Sequence, residues 1–364
     1  MKIVFFVNII RQARCIRRIE DFIKNGYDVE VYGFDREGDN RKFPSFEHHI
    51  IGNISREVSY LKRLQMMQRS IASVLKTKNK DVMYFIFSLD VALAFMLAGG
   101  RKSQYLYEVS DLMELEVNNF ILSKVLIGIN RHLINKSKMT IMTSEGFADF
   151  YFRNKRPDHI TIIPNKLNKQ VLDLPKPREK KFDSKNITIG FTGAIRSRAI
   201  YNFVEAVGCK FPNIRINLHG IYTDDKIYGK KIQEAVSKYS NVTYYGPFKN
   251  PYDFPDIYSH IDLVLCLYTA HGNDKILEPN KLYESIFYEK PIIVSKDTFT
   301  GDYVEHTNVG YTVNGECIED ICSFLESITE SDYLQKVRNC ALIPKENSVD
   351  NTDDFFNSLH NILN

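Results

Sequence analysis

Between Glu278 and Ser295 the chain reads EPNKLYESIFYEKPIIVS, an order of residue types that could hold an anion beside a diol. Pro279 and Asn280 precede a helix whose apolar residues Leu282, Ile286 and Phe287 fall on one face. Backbone amides at such a helix start attract a phosphate, and Lys281 adds a positive charge beside them. Glu284, one turn further in, has two readings. It could complement the helix dipole, or it could accept hydrogen bonds from two vicinal hydroxyls such as those of a ribose. A phosphate site next to a diol site is what a nucleotide requires, and in that company the second reading is favoured.

Such a turn needs a scaffold, and the rest of the chain supplies a regular one. KIVFFVN reads as a strand, RCIRRIEDFIKNG as a helix that stops at Gly26, and YDVEVYGF as a second strand. Strand, helix, strand with short links predicts a parallel sheet with right-handed crossovers. The alternation continues through the helix VSYLKRLQMMQRSIASVLKTK and the strands DVMYFIFS, SQYLYEVSD, MTIMTS and ITIIPN. QVLDLPKPREKKFDSKN, with two prolines and a cluster of lysines, then breaks the pattern as a linker. The alternation restarts with ITIGFTGA and runs through IRINLHG, NVTYYGP, DLVLCLYT, PIIVSK and GYTV with helices between. Two successive doubly wound α/β domains place a ligand at the carboxyl ends of strands, in an interdomain crevice.

The length of 364 residues fits two domains of ~100 to 200 residues each. The longest uncharged apolar run, Val91 to Gly100, is far short of the ~20 residues a membrane span requires, so no crossing is expected. Six cysteines, Cys15, Cys209, Cys266, Cys317, Cys322 and Cys340, are scattered without zinc-like spacing, which fits reduced thiols in a cytoplasm. The net charge of +3 conceals an asymmetry. Lys and Arg number 31 against 20 Asp and Glu from Met1 to Lys181, and 17 against 25 in the remainder. A basic first half is either a solvated face or one that meets an anionic partner such as phospholipid headgroups or a diphosphate. No zinc finger, RNP-like aromatic pattern or Arg-rich tail points to nucleic acid. NNFILSKVLIGINRHLI, Asn118 to Ile134, could be an amphipathic surface helix. Packing inside the domain is expected instead, because a doubly wound sheet must be covered on both faces.

PNKLYESIFYEKPIIVS, preceded by DLVLCLY and followed by GDYVEHTNVGYTV, resembles the donor-nucleotide segment of GT-B glycosyltransferases similar to family 4, of the bacterial capsule, O-antigen and exopolysaccharide type. FTGAIRSRAIYNFVEA resembles the Gly-rich first strand and loop of that family's C-terminal domain, and NVTYYGPF its strand followed by Gly-Pro. TIMTSEGFADFYFRN with ITIIPN is similar to the end of its N-terminal domain, and YLYEVSDLMELE to the strand tip that carries an acceptor-side acid or base.

The resemblance implies an N-terminal acceptor-binding Rossmann-like domain over residues 1–172 and a linker at 173–186. A donor-binding Rossmann-like domain would follow over 187–345, then a C-terminal helix at 346–364 that packs back on the first domain. Glu284 matches the ribose-binding second Glu of the family's paired pattern, whose first Glu would fall at Ile276. Gly193, Arg196, Arg198, Asn280, Lys281 and Leu282 match positions that hold the nucleotide and its diphosphate. Glu278 and His271 are candidate sugar contacts, with His219 weaker. Asp111, or its neighbour Glu108, matches the catalytic acid or base. Relatives often carry glycines in the first loop; VNIIRQARC has none, and Arg11 or Arg14 could reach in instead.

The expected activity is a retaining, metal-independent transfer of a sugar from a nucleoside-diphosphate donor, most simply a UDP-sugar. The expected acceptor is a hydroxyl of a glycan or lipid-diphosphate-linked saccharide in surface polysaccharide synthesis, at the inner face of the cell membrane. Two rival readings are a catalytically silent GT-B partner subunit and a GT-B nucleotide-sugar epimerase.

Overall fold

In the first half of the chain, runs such as IVFFV and MYFIF are apolar at every position rather than at alternate ones, which suits a parallel sheet buried on both faces. The structure, a computed structural model, describes residues 2–39, 41–55, 57–78, 82–153, 155–178, 180–223 and 227–363. Asp81, at the start of an expected strand, and Glu179, inside the expected linker, lie outside the described residues.

Two compact units divide the chain: Met1–Ile163 with Asn351–Asn364, and Pro164–Asp350. Among the described residues the first unit holds seven strands: β1 (Lys2–Val7), β2 (Asp28–Arg36), β3 (His49–Ile54), β4 (Met83–Phe87), β5 (Tyr105–Val109), β6 (Met139–Met142) and β7 (Ile160–Ile162). All pair in parallel, in the order β3-β2-β1-β4-β5-β6-β7, so the order reverses between β1 and β4. Helices α1 (Ala13–Lys24), α2 (Tyr60–Leu75), α3 (Leu89–Leu97), α4 (Phe120–Lys136) and α5 (Glu145–Phe152) connect the strands. β3 escapes a reading by pattern because it is an edge strand, half-exposed and interrupted by Gly52.

The second unit holds β8 (Thr188–Ile195), β9 (Arg215–Tyr222), β10 (Val242–Gly246), β11 (Leu263–Cys266), β12 (Ile292–Ser295) and β13 (Gly310–Val313). Their order, β10-β9-β8-β11-β12-β13, reverses between β8 and β11. Its helices are α6 (Arg198–Lys210), α7 (Tyr228–Lys238), α8 (Phe254–Ser259), α9 (Asn280–Phe287), α10 (Phe299–Thr307), α11 (Ile318–Ser327) and α12 (Glu330–Leu342).

The last helix, α13 (Asp353–Leu363), returns to the first unit. Phe355 and Phe356 pack edge-on to Phe22, which meets Phe5 and Phe85 in the same aromatic cluster. Residues 164–172 cluster with the second unit: Leu167 pairs with Val349, and its amide donates to the Ser348 carbonyl at 3.0 Å. The expected linker is held there too, with Phe182 stacked on Tyr333 at 3.8 Å and Lys180 paired with Asp262 at 2.5 Å.

One expectation is corrected. The start of α4 does not pack inward: Phe120, Ile121, Leu122 and Val125 are 68%, 74%, 48% and 51% exposed. Only its C-terminal half, through Asn130, Leu133 and Ile134, faces the core.

Candidate functional site

In the second unit, β8 ends and α9 begins at the strand-order reversal, where a doubly wound sheet opens to a ligand. The close approach of β8 and β9 depends on glycine. Gly193 has φ +123° and Gly220 φ +147°, and a Cβ on Gly220 would stand 1.7 Å from the Gly193 carbonyl oxygen. Lys281 reaches the same strand end, its Nζ lying 3.4 Å from where a Gly193 Cβ would be, an ordinary contact distance. Lys281 is buried, with its ammonium 4.5 Å from the centroid of the Phe191 ring. Burial works against its charge, yet Tyr268, Cys266 and Glu284 outweigh it and hold its pKa above the ordinary lysine range.

Glu284 is buried one turn into α9. Its Oε2 accepts from the Tyr258 hydroxyl at 2.6 Å and from Thr192 Oγ1 at 2.9 Å. Burial pushes its carboxyl above the usual range, opposed by Lys281 and by the two hydroxyls. A cation and a carboxylate fixed by hydroxyl donors therefore stand one turn apart at the reversal point. Tyr258 and Thr192 are additions to the sequence reading. Thr192 was adjacent to a candidate glycine, but Tyr258 arrives from α8, which no pattern marked.

The other candidates fall around this centre. Arg196 and Arg198 are exposed where the chain passes from β8 into α6. Between them Ser197, at φ +89°, caps α6 by accepting from the Ile200 amide. Asn280 is exposed at the first position of α9. The side chain of Leu282 is in the core, and its amide donates to the Pro279 carbonyl at 3.0 Å. Glu278 accepts from the Tyr283 hydroxyl at 2.9 Å, His271 is exposed, and His219 stacks on Tyr245.

The first unit separates its two candidate carboxylates. Glu108, on β5, is fully buried and receives Arg18 Nε at 2.8 Å. Asp111, just beyond the strand, is exposed and 3.8 Å from Arg14 Nη1. Arg11 is engaged by both oxygens of Asp35 at 3.0 Å, and Arg14 donates to the Ser110 carbonyl at 2.9 Å. The close packing beside the first loop comes from Gly33 on β2, where a Cβ would stand 2.7 Å from Val7 Cγ2. A pocket at the carboxyl ends of β1 to β4 contains Asp90 and Arg63, two groups that the sequence did not single out. Among the described residues no three His, Cys, Asp or Glu side chains are grouped as metal ligands, and no helix is long and apolar enough to cross a membrane.

The two parallel-sheet units have the GT-B fold. The chain superposes on sucrose-phosphate synthase from Thermosynechococcus elongatus with a TM-score of 0.72, over 100% of this chain and 98% of that one, at 13% identity. It superposes on HepE of Anabaena, solved in complex with UDP and glucose, with a TM-score of 0.65 over 96% of each chain, at 14% identity. In sequence it is 22% identical over 365 residues to the succinoglycan biosynthesis protein ExoL of Rhizobium meliloti, covering 93% of this chain and 88% of that protein. No family model matches the chain.

Proposed function

We propose that this protein is a glycosyltransferase, similar to those of family 4, that moves a sugar from a UDP-sugar to a hydroxyl of a glycan or lipid-linked saccharide in surface polysaccharide synthesis. The observation that carries this reading is the Lys281–Glu284 pair at the order reversal of the second sheet. In this assignment Thr192 and Tyr258 fix Oε2 of Glu284, and Oε1 takes the ribose hydroxyls. Lys281 and the amides at the start of α9 meet the diphosphate, with Arg196 and Arg198 able to swing in from their exposed loop. Three cations suffice to neutralise a departing nucleoside diphosphate electrostatically, so the transfer is proposed to need no metal. Glu108, tied to Arg18 inside the sheet, leaves the acid or base role to Asp111. HepE, solved with UDP and glucose, and a succinoglycan biosynthesis protein both support the donor and product classes. Retention of anomeric configuration follows the family resemblance.

Placement at the inner face of the membrane is part of the same proposal, and the exposed apolar start of α4 supports it. Lys124, 4.2 Å above the Phe120 ring, supplies a basic group for anionic headgroups.

Calorimetric titration of UDP and GDP into wild type and Glu284→Ala tests the reading. UDP binding that weakens by ~1 to 3 kcal/mol in the variant supports it, since a hydrogen-bonded charged partner is lost. Absence of binding by either nucleotide would favour the silent-subunit reading.

A further inference from the structure

The carboxyl ends of β1, β2 and β3 and the start of α3 converge with α2 on a pocket of about 170 Å³, built within the first unit. That is several times the roughly 30 Å³ share of a water molecule and below the ~300 Å³ of drug-sized sites, which suits a single sugar ring. Ile9, Ile54, Leu64, Met67 and Met113 give it an apolar wall. Such a wall with a few convergent polar groups holds the C–H face of a ring and its hydroxyls together.

Two opposite charges line this pocket without meeting. Arg63, on α2, and Asp90, at the start of α3, make no ion pair with each other among the described residues. They are near enough to interact: burial raises the Asp90 pKa, and the Ser88 hydroxyl, the Val91 amide and then the Arg63 guanidinium oppose it. Each keeps one polar atom open. Arg63 Nε is buried with no hydrogen-bond partner, a costly state for a donor. Asp90 Oδ1 is taken by the Ser88 hydroxyl and by the Val91 amide at 2.9 Å, which leaves Oδ2 to accept. Arg36 also lines the pocket but has a partner of its own, so the open charged groups are one cation and one carboxylate.

A donor on a cation and an acceptor on an anion call for a ligand that is both donor and acceptor and carries no charge. An anion that satisfied Arg63 would face Asp90, and a cation that satisfied Asp90 would face Arg63. Two adjacent hydroxyls have neither fault, since one oxygen accepts from Arg63 Nε while its neighbour donates to Asp90 Oδ2.

We propose that this pocket binds an uncharged sugar of the acceptor through two adjacent hydroxyls, one accepting from Arg63 and one donating to Asp90, and that it excludes acidic and amino sugars. The inference rests on the transferase reading above and adds to it the chemical class of the receiving sugar. Arg63 and Asp90 are then the specificity-determining pair.

The test uses the full chain and ligand-observed NMR titrations, at a pH that keeps amino sugars protonated. The probes are the methyl glycosides of glucose and galactose, of their uronates, and of glucosamine and galactosamine. At least one neutral glycoside is expected to bind about tenfold or more tighter than both its acidic and its amino counterparts. Asp90→Asn keeps the carbonyl that Ser88 and Val91 use and should bring the acidic sugar to within about twofold of the neutral one. Arg63→Gln should do the same for the amino sugar alone. A general loss of packing would not relax one exclusion at a time. Thermal unfolding is the folding control, and UDP affinity, read in the second unit, should be unchanged in both variants. Equal binding of the three sugar classes, exclusions that survive both substitutions, or no sugar binding while UDP binds overturns the proposal and leaves the donor reading intact. A neutral sugar bound with these exclusions by a chain that binds no UDP upholds the pocket and removes the transferase reading. Binding of neither sugar nor UDP overturns both.

Discussion

Gly193 and Lys281, 88 residues apart in sequence, meet so closely that a Cβ on the glycine would stand 3.4 Å from the lysine Nζ. The glycine is required by its backbone, at φ +123°, while a Cβ there would only touch the ammonium at the end of β8 at ordinary contact distance. Gly193→Ala should cost about 1 to 2 kcal/mol of stability from the backbone alone. It should also weaken UDP binding, because the strained backbone at residue 193 disturbs the end of β8 where the diphosphate is proposed to sit. Thermal unfolding and UDP calorimetry on one sample measure both effects. An alanine variant that is destabilised but binds UDP as tightly as wild type would show that the end of β8 lies away from the diphosphate.

Glu284 gives two pH dependences of opposite sign. Burial raises its folded pKa above the unfolded value, with Lys281 opposing. Between those two values the folded state holds more protons than the unfolded one. The contribution of Glu284 to stability is then fully present below the ordinary carboxylate range and is lost as pH rises through the raised folded value. Glu284→Gln should therefore gain stability relative to wild type on going from acid to neutral pH. UDP binding behaves in reverse, because the ribose hydroxyls need the carboxylate as acceptor. Affinity should fall by up to about tenfold per pH unit below the raised value, and the glutamine variant should lack that slope. A wild-type UDP affinity that is flat from pH 4 to pH 8 would exclude the ribose contact.

Much of this site was legible because its parts are local. Pro279 to Glu284 supply a helix start, a cation and a carboxylate within six residues, and spacing alone places them on one turn. The two doubly wound α/β domains were legible for the same reason, since strongly apolar strands alternating with amphipathic helices leave few other arrangements, and GT-B was what the resemblance of the PNKLYE segment implied. Long-range partners were not. The sequence around Glu108 cannot show that Arg18, 90 residues earlier, occupies the carboxylate. Asp90 reads as an ordinary acid at a helix start until the fold places it in one pocket lining with Arg36 and Arg63. The apolar stripe of α4 misled because a face turned to solvent and a face turned to the core have the same composition.

The separation of Glu108 from Asp111 predicts two different phenotypes in neighbouring residues. Arg18→Ala leaves the Glu108 carboxylate buried without its ion-pair partner and should cost about 3 to 5 kcal/mol, read as a large fall in Tm. Asp111→Asn, at an exposed site, should change stability by no more than about 0.5 kcal/mol. Its transfer rate should fall by about 10² to 10⁴ if the carboxylate handles the acceptor proton. An Asp111→Asn enzyme with wild-type turnover would show that the proton goes elsewhere, to the leaving diphosphate for instance.

The exposed start of α4 predicts membrane attachment that can be separated from folding. Phe120 and Ile121, at 68% and 74% exposure, contribute little to the core, so a Phe120→Ser, Ile121→Ser double variant should keep the wild-type Tm. Each side chain buried in a lipid interface is worth about 1.5 to 3 kcal/mol, so losing both should lower binding to phosphatidylglycerol vesicles by well over tenfold. Lys124→Glu should weaken binding to those vesicles by about 1 kcal/mol or more and do so less at high salt, since headgroup attraction is screened over a Debye length. Vesicles of phosphatidylcholine separate the two contributions: the apolar variant should lose binding to both lipids, the charge variant only to the anionic one. Co-sedimentation that is identical for wild type and the double variant would show that this face of α4 does not enter the interface, and that any membrane contact lies on another part of the basic first half.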